Sequence, residues 1–161
     1  MLNGVEVLPN TTADDVALDA GGGPSGSYVA DQSFSGGLPW STGAAIDTSG
    51  VSNPAPQAVY QTVRYGNFTY TLSGLAPGGS YTVRLHFAEI FFTAAGQRVF
   101  NVQINSSQVL TNFDIVVAAG AANKAIVTPF TATADATGEI TITFVSVVNN
   151  ALLNGLEILT A

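Results

Sequence analysis

The sequence contains no cysteine. Disulfides, thiolate metal sites and cysteine nucleophiles are therefore excluded together. Basic residues are nearly as scarce: four Lys and Arg stand against eleven Asp and Glu, a formal net charge of −7 over 161 residues. Nucleic-acid binding needs a basic patch, and so few basic side chains cannot build one. The same scarcity argues against anionic membrane surfaces and phosphate-rich ligands, so the expected partner is neutral. No apolar run approaches the roughly 18 residues of a membrane span. The first residues lack the basic n-region and apolar h-region of a signal peptide. The single histidine, His86, cannot form a multi-histidine metal site. Alternation places it on one strand face with Arg84 and Ala88, as an ordinary sheet residue. No cofactor is implied, and structural calcium is left open without any motif for it.

What is present is strand signal. "NFTYTL" alternates Phe68, Tyr70 and Leu72 with polar neighbours, and "SYTVRLHF" alternates Tyr81, Val83, Leu85 and Phe87. "VFNVQI" gives Phe100, Val102 and Ile104; "EITITF" gives Ile140, Ile142 and Phe144. This period of two marks half-buried antiparallel strands. Between them lie turn words such as "SGLAPGGS", "TAAGQ", "NSSQ" and "DATGE". No segment carries a capped 3.6-residue stripe. The pattern predicts an all-β fold, a sandwich or jelly roll of antiparallel strands.

Three stretches depart from it. Residues 21–58 are small, polar and poor in strand signal, yet hold Tyr28, Phe34 and Trp40. Such a long irregular stretch is functional or disordered, and its aromatics favour order. Trp40 sits in a turn-like "LPWST" context. The second stretch is "LHFAEIFFTAAGQRVFNV", where Phe91 and Phe92 stand side by side. Adjacent side chains of a strand point to opposite faces, so these rings mark the strand's exit. Either both face a ligand, or one caps the core and the other is incidental. The third is a repeat: "LNGVEVL" (2–8) matches "LNGLEIL" (153–159) at five of seven positions. Residues 1–14 then read as a leader, 2–8 as the last strand of a preceding copy and "PNTTADD" (9–15) as a linker. Residues 15–161 form the domain proper. The Asn-X-Ser/Thr words at Asn10, Asn67 and Asn105 read as incidental.

"ALDAGGG", "VYQTVRYGNFTYTL", "SYTVRLHFAEIFFTAAGQRVFNVQIN", "NFDI" and "LNGLEIL" together resemble the malectin-like family of carbohydrate-binding domains over about residues 16–160. The resemblance implies a jelly-roll sandwich that binds glucose-containing oligosaccharide through aromatic side chains on loops at one end. It carries ligand contact to Trp40 after "FSGG", to Tyr65 after Arg64, and to Phe91 and Phe92 after "FAE", with Glu89 of that word counted among the ligand-binding residues. It also points to Asn149, with Asn150 adjacent, just before the last strand. Two positions depart from the family pattern: Phe91 stands for a tyrosine and Asn149 for an aspartate. Both changes remove polar contacts. The resemblance therefore carries no expectation of animal malectin's glucosylated N-glycan preference.

Sugar rings expose an apolar C–H face and a belt of hydroxyls, so aromatic surface plus fixed polar groups suits them. Three function classes compete. A non-catalytic carbohydrate-binding module leads. A glycosidase needs paired carboxylates, and Glu89, Asp114 and Asp31 have no partner in a second motif. A structural or adhesion repeat of a tandem array, without sugar, is the alternative that the 2–8 duplication supports. The expected setting is extracellular or at the cell surface, within a larger secreted, carbohydrate-active protein.

Overall fold

The computed structural model describes residues 15–161. The expectations for 2–8 and for the leader lie outside the described residues. Ten strands and two single-turn helices follow in order: β1 (Val16–Asp19), β2 (Phe34–Ser41), α1 (Gln57–Tyr60), β3 (Thr62–Leu72), β4 (Ser80–Phe87), β5 (Val99–Ile104), β6 (Ser107–Phe113), α2 (Ile115–Ala119), β7 (Ile126–Thr133), β8 (Ile140–Val148), β9 (Ala151–Leu153) and β10 (Gly155–Thr160). One sheet has the order β1-β10-β4-β7. The other runs β2-β3-β8-β5-β6, with β9 extending the pairing on β3. All named strand pairs are antiparallel.

The two sheets face each other through the alternating residues. Phe68, Tyr70 and Leu72 of β3, and Ile140, Ile142 and Phe144 of β8, are buried on one side. Tyr81, Val83, Leu85 and Phe87 of β4 are buried on the other. Phe68 and Phe144 stack with centroids 4.5 Å apart, and Phe87 meets Phe113 at 5.1 Å and Phe100 at 5.7 Å. Apolar burial of this kind is the main stabilising term. The fold is the all-β sandwich that the alternation predicts.

Two expectations need correction. The stretch 21–58 is not irregular throughout, because Phe34–Ser41 is a strand at the sheet edge, paired with β3. Trp40 therefore stands on a strand opposite Val63, not in a turn. Edge strands tolerate the Gly-Gly and Pro that hid this one. His86 is also more than the ordinary sheet residue that alternation suggests. It is fully buried, because Tyr28 and α1 cover the outer face of β4 there. Its Nε2 lies 2.7 Å from Glu157, and its Nδ1 lies 2.7 Å from the Tyr60 hydroxyl. A carboxylate only accepts, so Nε2 carries the proton and Nδ1 accepts from Tyr60. Arg84 joins Glu157 at 2.6 Å and donates to the carbonyls of Ser52 and Asn53. That network ties the covering segment to the sheet.

The "DAGGG" word makes the first turn. Gly21 has φ +75°, and a Cβ there would stand 1.9 Å from the Val63 carbonyl, so only glycine fits. The turn leaves Asp19 buried with the Thr62 hydroxyl donating to it. Burial pushes the Asp19 carboxyl up to about 7; the Thr62 bond opposes this and nearby Asp31 reinforces it. The folded chain then holds a proton that the unfolded chain releases near 3.8. This contribution to stability falls as pH rises from about 4 to 7. His86 acts in the opposite sense, because desolvation lowers its pKa below 6.5 and the unfolded chain gains the extra proton in acid. A single pH profile mixes the two slopes, whereas a difference separates them. Asp19→Asn should raise the thermal midpoint most at pH 8, with the gain shrinking towards pH 4. A gain independent of pH, measured by calorimetry on both proteins, would contradict this account.

Candidate functional site

At one end of the sandwich lies a cleft of about 220 Å³, lined by Trp40, Tyr65, Phe91, Phe92, Asn149 and Asn150 over a floor of Val63, Ile90, Leu152 and Arg98. Its volume is below the roughly 300–1,000 Å³ of drug-sized pockets. It suits one or two rings of a ligand, with the remainder in solvent. Strands β2 and β3 supply Trp40, Val63 and Tyr65. The loop after β4 supplies the phenylalanines, and the β8–β9 turn supplies the asparagines. The sequence-predicted aromatics and asparagines thus lie together. Glu89 does not line the cleft but lies beneath it.

The rings form a continuous edge-to-face wall. Trp40 and Phe91 have centroids 5.4 Å apart at 79°, and Phe91 and Phe92 are 4.9 Å apart at 88°. Phe91 is 61% exposed and Trp40 38%. The loop can hold two adjacent phenylalanines because β4 ends at Phe87 and strand alternation no longer applies.

Glu89 fixes that loop. Its Oε1 accepts from the backbone N–H groups of Phe91 (3.1 Å) and Phe92 (2.9 Å). Its Oε2 receives Arg98 Nε at 2.5 Å. Arg98 Nη1 donates to the Asn150 carbonyl at 2.5 Å, and its guanidinium lies 4.9 Å from the Phe92 ring centroid. Glu89 is 1% exposed and Arg98 7%. Their opposite charges meet inside the protein, so the cleft above them carries no unbalanced charge. Arg98 is absent from the sequence-predicted set. A signal existed, since it is one of only four basic residues and it opens an apolar strand.

Asn149 takes a left-handed conformation, φ 54°, that asparagine tolerates. Its Nδ2 donates to the Gln97 carbonyl at 2.6 Å, which leaves Oδ1 to accept. Among the described residues, the Tyr65 hydroxyl, the Trp40 N–H and the Asn150 side-chain amide make no hydrogen bond. These groups and Asn149 Oδ1 offer both donors and acceptors at the cleft.

The carboxylates weighed for catalysis have structural partners. Asp31 accepts from Arg64 (2.9 Å), Tyr70 (2.7 Å) and the Gly21 N–H (2.8 Å). Asp114 caps α2 through Val116 and Val117. Among the described residues, no group of three or more His, Cys, Asp and Glu could hold a metal.

The Malectin domain model matches residues 15–156. The chain belongs to the malectin domain family. Malectin domains are non-catalytic binding domains of carbohydrate-binding type. Kinesin-like protein KIN-14E of Oryza sativa subsp. japonica is 32% identical over 162 residues, covering 89% of this chain and 14% of that protein. Malectin of Homo sapiens is 38% identical over 65 residues, covering 40% of this chain and 22% of that protein. The malectin domain here therefore spans a minor part of either relative. Among solved structures, a chain in the complex of plant peptide RALF23 with FER and LLG2 matches with TM-score 0.82 at 23% identity, over 90% of this chain and 48% of that one. The ANXUR2 extracellular domain of Arabidopsis thaliana gives TM-score 0.78 at 23% identity, over 90% and 48%. At those identities the likeness is one of fold. No helix among the described residues is long and apolar enough to cross a membrane.

Removing Glu89 strands Arg98 and frees the loop. Glu89→Ala should cost about 3 kcal/mol or more, which lowers the midpoint by roughly 6–12 °C. Thermal unfolding checks this. A loss under about 1 kcal/mol would show that the pair is not the anchor of the cleft.

Proposed function

We propose that this malectin domain binds a neutral, glucose-containing oligo- or polysaccharide in the cleft between Trp40 and Asn150. The observation that carries the reading is the convergence of three aromatic rings with free hydrogen-bond groups in one charge-balanced cleft. The C–H face of a pyranose packs on the Trp40–Phe91–Phe92 wall. Its hydroxyls reach Tyr65, Asn149 Oδ1 and the Asn150 amide. Glu89 acts beneath them by positioning the loop. No step of bond cleavage is assigned to any residue.

The malectin domain's place is in a larger extracellular or cell-surface protein. One matched structure is itself an extracellular domain. A carbohydrate-active partner domain in the same chain would gain a means of staying on its substrate.

Affinity electrophoresis against α-glucans, β-glucans, xyloglucan, mannan and xylan tests the reading. Retardation is expected on at least one glucose-containing polymer. Trp40→Ala and Phe92→Ala should each lose about 1–3 kcal/mol of binding, roughly ten- to hundredfold. Full affinity in either variant would remove that ring from the site.

Ionic strength offers an independent check. A neutral ligand has no charge to screen, so affinity should be nearly equal at 20 mM and 500 mM salt. A steep loss would indicate a charged partner and turn the reading towards adhesion.

A further inference from the structure

The repeated word at the two ends of the chain acquires meaning from what its C-terminal copy does. Asn154 is fully buried. Its side chain accepts from the Ala88 N–H at 2.7 Å and donates to the Tyr60 carbonyl at 2.9 Å. Gly155 leaves no room for a side chain, since a Cβ would stand 2.6 Å from Val59 Cγ1. Glu157 takes both Arg84 and His86. None of these three requirements belongs to a strand as such. Each is imposed by residues far away in sequence, within a completed malectin sandwich.

The N-terminal copy, 151 residues earlier, keeps all three as Asn3, Gly4 and Glu6. It varies only where Leu156 and Ile158 become Val5 and Val7, which are swaps between apolar residues. Asparagine, glycine and glutamate are each depleted in ordinary strands, so a strand with no such partners has little reason to keep them. In this domain the partners are already occupied by Asn154, Gly155 and Glu157. We propose that residues 2–8 are the closing strand of a preceding malectin domain, and that the parent protein is a tandem array whose sugar clefts point away from the joints.

The fold supplies the geometry for such a joint. The end of β10 and the start of β1 share one corner, where Asp15 accepts from the Thr160 N–H at 2.8 Å and from its hydroxyl at 2.9 Å. Thr160 also lies opposite Tyr81 at the beginning of β4, whereas Gly155 lies opposite His86 near its end. From that corner β4 runs to the cleft loop, roughly 20 Å away at about 3.3 Å per residue. Pro9 corresponds to Thr160, so residues 10–14 would bridge successive copies, a reach of at most about 18 Å. Chain entry and exit at one pole leave the other pole open in every copy. Resting on the sugar reading, such an array would take a polymer with repeated sites in preference to an isolated sugar, because linked sites raise the effective concentration.

The tests use stability and sequence, so they stand apart from sugar binding. In the 161-residue chain, Asn3→Ala and Glu6→Gln should leave the thermal midpoint unchanged. Asn154→Ala and Glu157→Gln should lower it by roughly 5–15 °C, or prevent folding. Equal losses at both ends would place residues 2–8 in this domain's own core and overturn the proposal. The coding sequence of the parent chain decides the rest. Arg84 and His86 lie 73 and 71 residues before Glu157, and Tyr60 lies 94 before Asn154. An Arg-X-His word is expected about 73 residues upstream of Glu6, with a tyrosine about 94 upstream of Asn3. Translation that starts at Met1, or an upstream sequence without that set, would also overturn it.

Discussion

Glu89 and Arg98 meet in the interior, and neither can be removed without stranding the other's charge. Transfer of two charges from water is costly, and only excellent geometry with further hydrogen bonds repays it. Here the further bonds are the ones that shape the cleft. Both Glu89 oxygens are engaged, by backbone N–H groups of the aromatic loop and by the guanidinium. Arg98 carries the constraint onward to the Asn150 carbonyl and the face of Phe92. The Glu89 carbonyl also accepts from Asn123. One ion pair thus sets the positions of the loop after β4 and the turn after β8, which no strand pairing would align. The entropy of ordering the aromatic loop is met during folding, so a ligand finds its platform already formed.

That arrangement also explains how a protein with a net charge of −7 can present a neutral site. The charges nearest the cleft cancel beneath it. Apart from Arg98, whose charge Glu89 balances, the groups that line it are ring faces, a phenol, an indole N–H and amides. Such groups discriminate by shape and hydrogen-bond direction, not by charge. The same economy recurs on the outer face of β4, where Arg84, His86 and Glu157 satisfy one another under a covering segment. In both places a buried charge has a partner and a set of hydrogen bonds.

The sandwich was legible in the sequence because its core obeys a local rule. Phe68, Tyr70, Phe87, Phe100 and Phe144 follow period two, and each is buried. β2 was illegible for the opposite reason. Nearly all its side chains are exposed, so it shows no alternation, and its Gly-Gly and Pro imitate a loop. His86 was misjudged because burial of an outer sheet face depends on a segment that folds back from residues 20–60, which no local pattern encodes. Trp40, Phe91, Phe92 and the asparagines could be named together through the family words. Arg98 is marked only by its scarcity and its place before an apolar strand, and its role appears only once Glu89 is seen to be buried. Partners distant in sequence are what a single chain conceals, and the cleft is assembled from four such segments.

The two departures from the family pattern act in one direction. A tyrosine at position 91 would put a hydroxyl at the rim, whereas Phe91 offers only a ring edge and face, 61% exposed. An aspartate at 149 would offer two accepting oxygens, and its charge would face the Gln97 carbonyl. Asn149 instead donates to that carbonyl at 2.6 Å and keeps one oxygen free. Asn149 thereby anchors the β8–β9 turn to the loop before β5. On the proposed sugar reading, a site built this way gives up directional contacts to particular hydroxyls and gains rigid apolar area. Its discrimination between sugars that differ only in hydroxyl configuration should be weaker than a Tyr–Asp site allows, because a lost hydrogen bond penalises the wrong epimer more than ring stacking does. On the same reading, selection falls on whether a ring presents a flat C–H face to the wall, which is a property of how units are linked along a polymer.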